Sequence, residues 1–338
     1  MDILNQGNFT FKNTISLKCS ACSGGKIEKE GPLGKYLDIY CPSDDMKTGT
    51  FEKAEAEMIR LTINTLLSKA KIKEHDVDLM LGGDLMNQCT STGYGLDSFD
   101  IPYLGLYGAC STFALGMLTA GLLIDSGHIK NAIVVASSNF CTAERQFRFP
   151  LEYGSFSGTT AQTTVTGCGA VLLSKEDTSY SGPTITGGMY GIVCDTGIKD
   201  AGNMGAAMAT AAADTIVRYL SASGKDISYF DKVASGDLGS EGKSLAEEML
   251  AQKNVSYQNI FCDCGEIIYD TQKQDVGCGG SGCGCSAVVT SGYFADELKK
   301  KSINRIALVG TGALMSPQTI QQGLSIPSVA HLVCIENK

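Results

Sequence analysis

The sequence predicts an α/β protein assembled from two similar halves, and three observations lead there. Apolar strand-like runs alternate with helix-like runs along the chain. A Gly-Asp-Leu tripeptide at 83–85 recurs at 236–238, an offset of 153 residues. Each copy is followed by a glycine- and cysteine-containing elbow, a helix-like run, a basic residue and a further apolar strand. Strands alternating with helices make sheets covered by helices. A duplicated module leads us to expect a ligand site where the copies meet.

In the first half, residues 1–180, the expected strands are "VDLMLGGD" (77–84), "IPYLGLYG" (101–108), "NAIVVASSN" (131–139) and "GAVLLS" (169–174). The expected helices are 51–70, where Ala54, Met58, Leu61, Thr65 and Leu66 recur at helical spacing, and 111–126. The second half, residues 181–338, repeats the scheme with strands at 185–195, 232–237, 305–313 and 329–336 and helices at 205–222, 242–252 and 285–300. The matching passages are "GACSTFALGMLTAGLLIDSG" before "IKNAIVVASSN", and "SGCGCSAVVTSGYFADELKK" before "INRIALVGTGA".

A chain of 338 residues, 43% hydrophobic, can bury a large core. Its net charge of −9 and lack of a basic stripe argue against nucleic-acid partners and against a bare anionic membrane. No apolar run reaches the roughly 18 residues a membrane helix needs. The polar start "MDILNQGNFT" lacks the features of a signal peptide. Cytoplasmic synthesis is therefore expected, with any membrane work done through protein partners. The 14 cysteines are expected as free buried thiols rather than a disulfide framework. Cys19-x-x-Cys22 and the group Cys278, Cys283 and Cys285 have incomplete zinc spacing, so no metal site is expected.

Gly108-Ala109-Cys110-Ser111-Thr112 joins an apolar run to a helix and mounts a thiol at the helix start. Amides there lower a thiol's pKa and bind anions. Two α/β halves with a cysteine at the first elbow resemble the thiolase superfamily. The resemblance narrows through "GPLG" (31–34), "GGDLMNQ" (82–88), "LYGACST" (106–112), "TAERQFRFPLEYG" (142–154), "GGSGCGCSAVV" (279–289) and "TGALMSPQTIQQGLSIPSVAH" (311–331). Together, over about residues 20–335, these resemble the stage V sporulation protein AD family. The resemblance implies a thiolase-like fold: two pseudo-symmetric halves in an α/β/α/β/α layering. It also implies binding of dipicolinic acid (pyridine-2,6-dicarboxylate), free or as its Ca²⁺ chelate, without known condensing activity. The ligand would pass to membrane subunits of a spore channel, and the chain would lie peripherally on the spore inner membrane through those partners. A homodimer is expected through 101–108, because so apolar an edge is a hazard in a monomer.

The residues themselves side with binding. Thiolase chemistry needs a thiolate, a histidine-type partner and an oxyanion hole. His75, His128 and His331 all fall away from the superfamily's catalytic positions, where Ser235-Gly236-Asp237 and Cys278-Gly279-Gly280-Ser281 stand instead. Gly310-Thr311-Gly312-Ala313 lacks the second cysteine of thiolases. Cys110 is thus read as a vestigial nucleophile position in a pocket wall, with no catalytic residue. The alternative is an acyltransferase, condensing or thioester-cleaving enzyme using Cys110. A small dianion wants N–H and hydroxyl donors and a cation. The candidate ligand residues are Cys110, Ser111, Asn139, Arg145, Arg148, Thr166, Asp237 and Ser281, with no cofactor beyond Ca²⁺ travelling with the ligand. Arg145 and Arg148 follow a strand's carboxyl end, where α/β sheets bind ligands, and either could clamp a carboxylate. The alternative for them is a pair with Glu144 or Glu152, or a place in the dimer interface. Ser111, Asn139 and Thr166 have capping or turn duty as their competing role. Asp84 and Asp237, related by the repeat, are expected to brace the two elbows, with contact to ligand or Ca²⁺ as the alternative.

Overall fold

The computed structural model describes residues 2–5, 7–147 and 158–338. Ten strands form the body of one hydrogen-bonded sheet. Their order is Phe261–Asp263, Lys232–Ser235, Arg305–Ala313, Ser328–Asn337, Pro183–Met189, Asn8–Gly24, Gly167–Glu176, Asn131–Ser138, Leu79–Gly83 and Tyr103–Gly105. Numbering five strands within each half gives the order 3-2-4-5-1 from either outer edge, so the two first strands meet in the middle. In each half the fifth strand runs antiparallel to its neighbours, whereas strands 2, 3 and 4 are parallel. The identical order and direction pattern carries the pseudo-symmetry read from the two Gly-Asp-Leu copies.

Three apolar clusters divide the molecule into five layers. Successive side chains of a strand face opposite ways. Accordingly, Val134 and Ala136 point into a central cluster, while Ile133 and Val135 point into an outer one with Phe51–Ala70. In the second half Ile306 and Leu308 join the same central cluster, while Ala307 and Val309 face Met204–Ser223 and Gly239–Gln252. The central layer is the pair Thr112–Asp125 and Cys283–Val289, contributing Phe113, Met117, Leu118, Val288 and Val289. These two helices are the ones that follow the elbows, so the fold brings both elbows to one place.

Several expectations need adjustment. The strand expected over 101–108 is ordered only at Tyr103–Gly105, and that over 185–195 is Pro183–Met189. The run 285–300 begins at Cys283 and carries a π turn at Thr290–Phe294 before Ala295–Lys300. The longest strand, Asn8–Gly24, was not anticipated. Phe9, Phe11, Ile15, Leu17 and Cys19 alternate in it as a strand requires. Asn13 interrupts the pattern, where it bonds Asp125 at the end of a central helix. All 14 cysteines are free, most of them buried; Cys22, Cys278 and Cys283 donate to the carbonyls of Tyr36, Thr160 and Ser137. Among the described residues no helix is long and apolar enough to cross a membrane.

Candidate functional site

The first elbow is a hydroxyl-stapled turn. Ser111 Oγ donates to the Gly108 carbonyl at 2.7 Å, Thr112 Oγ1 to the Ala109 carbonyl at 2.7 Å, and the Gly108 N–H to Thr112 Oγ1 at 3.1 Å. Ala109 is held at a φ of 50°, a left-handed conformation that costs a Cβ-bearing residue about 1–2 kcal/mol. The result presents Cys110 at the start of Thr112–Asp125, buried but for 7% of its surface.

The second elbow lies against the first. Gly282 takes a φ of 100°, and a Cβ there would come within 2.7 Å of Ser138 Oγ, so only glycine fits. Its N–H donates to Asp237 Oδ2 at 2.9 Å. The other carboxylate oxygen of Asp237 accepts from Thr311 Oγ1 at 2.7 Å, and the thiol of Cys110 lies against the same carboxylate. Asp237 therefore braces the second elbow, the glycine turn 310–313 and the cysteine together. Its mate Asp84 accepts from the N–H groups of Met86 and Thr92, both at 2.7 Å, and from Thr92 Oγ1 at 2.6 Å. It braces its own 86–92 loop, and the two copies of Gly-Asp-Leu have diverged in their duty.

The electrostatics oppose a reactive thiolate. Burial pushes the Cys110 thiol well above its ordinary value, and the charges of Asp237 and Cys283 add to this. Burial likewise pushes Asp237 up to about 7, partly offset by its hydrogen bonds. None of the three histidines lies on the cavity wall. His75 and His128 are exposed, and His331 is buried in Ser328–Asn337, accepting from the Gly191 N–H at 3.2 Å. Burial lowers His331 to about 4, so its ring is neutral.

Above Cys110 opens a cavity of about 290 Å³. Leu85, Tyr107, Ala143, Phe147, Met204 and Met315 give it a largely apolar wall. Polar groups come from Asn87, Glu144, Thr164, Ser281 and Ser316. Thr164 and Ser281 face each other across the short parallel ladder of Thr163–Thr164 with Gly280–Ser281. Among the described residues no Lys or Arg lines this cavity.

Of the eight residues expected to touch a ligand, Cys110 and Ser281 line the cavity and Asp237 lies directly against Cys110. The rest are placed otherwise. Ser111 is spent on its own turn. Asn139 accepts from the Cys141 N–H and donates to the Asp44 carbonyl, starting the helix Phe140–Phe147. Thr166 Oγ1 accepts from the Phe140 N–H, and its own N–H donates to the buried Glu28. Arg145 pairs with Glu52 and stacks over Phe51, outside the cavity, so it is not placed as a clamp there. Arg148 lies outside the described residues. Sequence reasoning missed Met204, at the start of its helix, and Tyr107, Phe147, Leu314 and Met315, which lie within quoted motifs. It also missed Glu55, buried under the first half's strand ends and accepting from Ser91, Ser137 and Thr142.

Comparison with known proteins agrees with this architecture. The model of the family described as Stage V sporulation protein AD (SpoVAD) matches residues 5–336. Stage V sporulation protein AD of Bacillus subtilis (strain 168) is 38% identical over 336 residues, covering 99% of this chain and 98% of that protein. Among solved structures, cerulenin-bound Xanthomonas campestris OleA superposes with a TM-score of 0.60 at 14% identity, covering 96% of this chain and 100% of that one. Acetamide-bound OleA gives 0.59 at 15% identity with the same coverage. At those identities the likeness is one of fold, and it establishes the thiolase-like architecture. The chain belongs to the stage V sporulation protein AD family.

Proposed function

We propose that this protein, which serves sporulation, is a non-catalytic binder of dipicolinic acid and not an acyl-transfer enzyme. The carrying observation is the partner of Cys110: the group against its thiol is a carboxylate, which disfavours the thiolate a condensing reaction requires. The cavity above it, at about 290 Å³, sits at the small end of ligand pockets and suits a single flat ring. Tyr107 and Phe147 offer ring contacts, and Ser281, Thr164 and Asn87 offer polar contacts to carboxylates. Delivery to membrane subunits of a spore channel, with the chain peripheral on the inner membrane, completes the reading. Self-association is part of it: Leu104 and Tyr107 are exposed on and beside the outer edge strand Tyr103–Gly105, and Tyr94 is exposed nearby in sequence. Light scattering on the purified chain should then report a dimer that Leu104→Arg converts to monomer.

Calorimetry with dipicolinate, with and without equimolar Ca²⁺, tests the binding. Saturable heat lost on Cys110→Trp is expected, and no heat under either condition overturns the proposal. Incubation with acyl-CoA followed by intact-mass measurement tests the rival; an acyl adduct on Cys110 would establish an enzyme.

A further inference from the structure

A second cleft, of about 550 Å³, opens at the opposite end of the sheet. The Cys110 cavity takes wall from 313–316, just past the end of Arg305–Ala313, whereas this cleft includes Asn337 at the far end of the antiparallel partner strand. The two share no wall residue. The cleft lies between the halves. Lys18, Lys35 and Lys69 come from the first, and Ser181–Pro183, Ser291, Lys299 and Lys301 from the second.

Its charge runs against that of the chain. Five lysines and two aspartates, Asp38 and Asp296, line it in a protein of net charge −9. Lys69 is held by Asp38 and Lys18 by Glu176, while Asp296 is taken by Lys300 from outside the wall. Lys35, Lys299 and Lys301 make no ion pair among the described residues, and all three are exposed. Three ammonium groups without an ion pair on one concavity, that of Lys35 resting over the Tyr36 ring, repel one another unless an anion joins them.

The cleft wall includes a distorted helical turn. Ser291 forms part of it, is 98% buried, and its Oγ has no hydrogen-bond partner. A buried hydroxyl left unpaired costs about 1–3 kcal/mol. It sits in the π turn Thr290–Phe294, a rare distortion that gathers at functional sites. Gly292 of that turn packs so closely on Cys22 and Tyr36 that a Cβ would come within 3.0 Å of Cys22 Sγ, which fixes the turn against the first half.

We propose that this cleft binds a phosphate group, with Lys35, Lys299 and Lys301 neutralising its charge. Phosphate fits because it carries more than one charge on several acceptor oxygens, which lysines meet as point charges. The group can come from a soluble phosphate compound or from the headgroup of an anionic lipid, and the two are separable by experiment. The proposal is independent of dipicolinate binding at Cys110.

Inorganic pyrophosphate is titrated into the full-length chain by calorimetry at low and at moderate salt. In parallel the chain is sedimented with vesicles of phosphatidylglycerol or of phosphatidylcholine. Expected is saturable pyrophosphate binding that weakens with salt, falls at least about tenfold in Lys299→Gln/Lys301→Gln, and falls about threefold or more in Lys35→Gln, at the cost of one charged contact. The melting temperature should be unchanged in both variants, which verifies their fold. Sedimentation with phosphatidylglycerol alone, competed by pyrophosphate, assigns the group to lipid; pyrophosphate binding without sedimentation assigns it to a soluble compound. No saturable binding in either arm, or binding indifferent to both variants, overturns the proposal. That includes the case in which these lysines instead meet an acidic protein.

Discussion

The thiol of Cys110 lies against the carboxylate of Asp237, which is itself held by Gly282 and Thr311. A carboxylate in this position disfavours ionisation of the thiol, whereas a histidine would favour it. Asp237→Asn removes the charge and keeps the shape. Alkylation of Cys110 by iodoacetamide at pH 8, followed by intact mass, should therefore accelerate, by about tenfold for each unit by which the thiol's pKa drops. An unchanged or slower rate would show that the carboxylate does not control the thiol.

The same carboxylate makes stability depend on pH. Asp237 titrates at about 7 in the folded chain against an ordinary 3.8. Between about pH 4 and 7 the folded state then binds more protons than the unfolded one, so this group's contribution falls as pH rises and is flat above that window. His331 has the opposite sign: burial lowers it from 6.5 to about 4, and its contribution rises with pH across that interval. Comparing Tm at pH 5 and pH 7, Asp237→Asn should shift the pH dependence toward greater relative stability at pH 7. His331→Gln should shift it toward pH 5. Equal differences in all three chains would refute both assignments.

Cavity and surface can be told apart by two substitutions. Met315→Trp adds bulk to the wall and should weaken dipicolinate binding by at least about tenfold, some 1.4 kcal/mol. Arg145→Ala removes an exposed pair with Glu52 away from the cavity. It should leave the dissociation constant within about twofold and stability within about 1 kcal/mol. A large loss of binding in Arg145→Ala would restore Arg145 as a clamp.

The two repeat-related aspartates also invite a paired test. Thr311→Val deprives Asp237 of a donor, and Thr92→Val does the same to Asp84. Both sites are buried, and each change should cost about 1–3 kcal/mol in urea unfolding. Only Thr311→Val should also change the alkylation rate of Cys110. If Thr92→Val changes it equally, the divergence of the two copies is mistaken.

Much of the fold was legible in the chain, and the reasons are local. The helix Phe51–Ala70 and the strand Arg305–Ala313 coincide with the runs expected from periodicity, because propensity, pattern and burial agree there. The elbows were legible because glycine and small residues mark sharp turns, and they delivered Cys110 and Ser281 to the cavity. Arg145 misled because a cation near a strand end is a ligand signal only if nothing closer claims it. Its partner Glu52 is 93 residues away in sequence. Met204 and Met315 carry no local ligand signal, since only the tertiary fold brings a helix start and the turn after Arg305–Ala313 to the cavity. The lysine cleft was hidden for a related reason: its five cations come from separate segments of an acidic chain, and an average charge says nothing of a local field.

The strand Asn8–Gly24 bonds on one side to Gly167–Glu176 of its own half and on the other to Pro183–Met189 of the next. Duplicated proteins often come apart at the joint between copies, but here the joint is welded by main-chain hydrogen bonds. Severing the chain in the connection at 177–182 would leave two fragments, each with a raw sheet edge seeking a partner. The halves share one strand order, yet neither is a free-standing module, and the molecule should melt in one step rather than two.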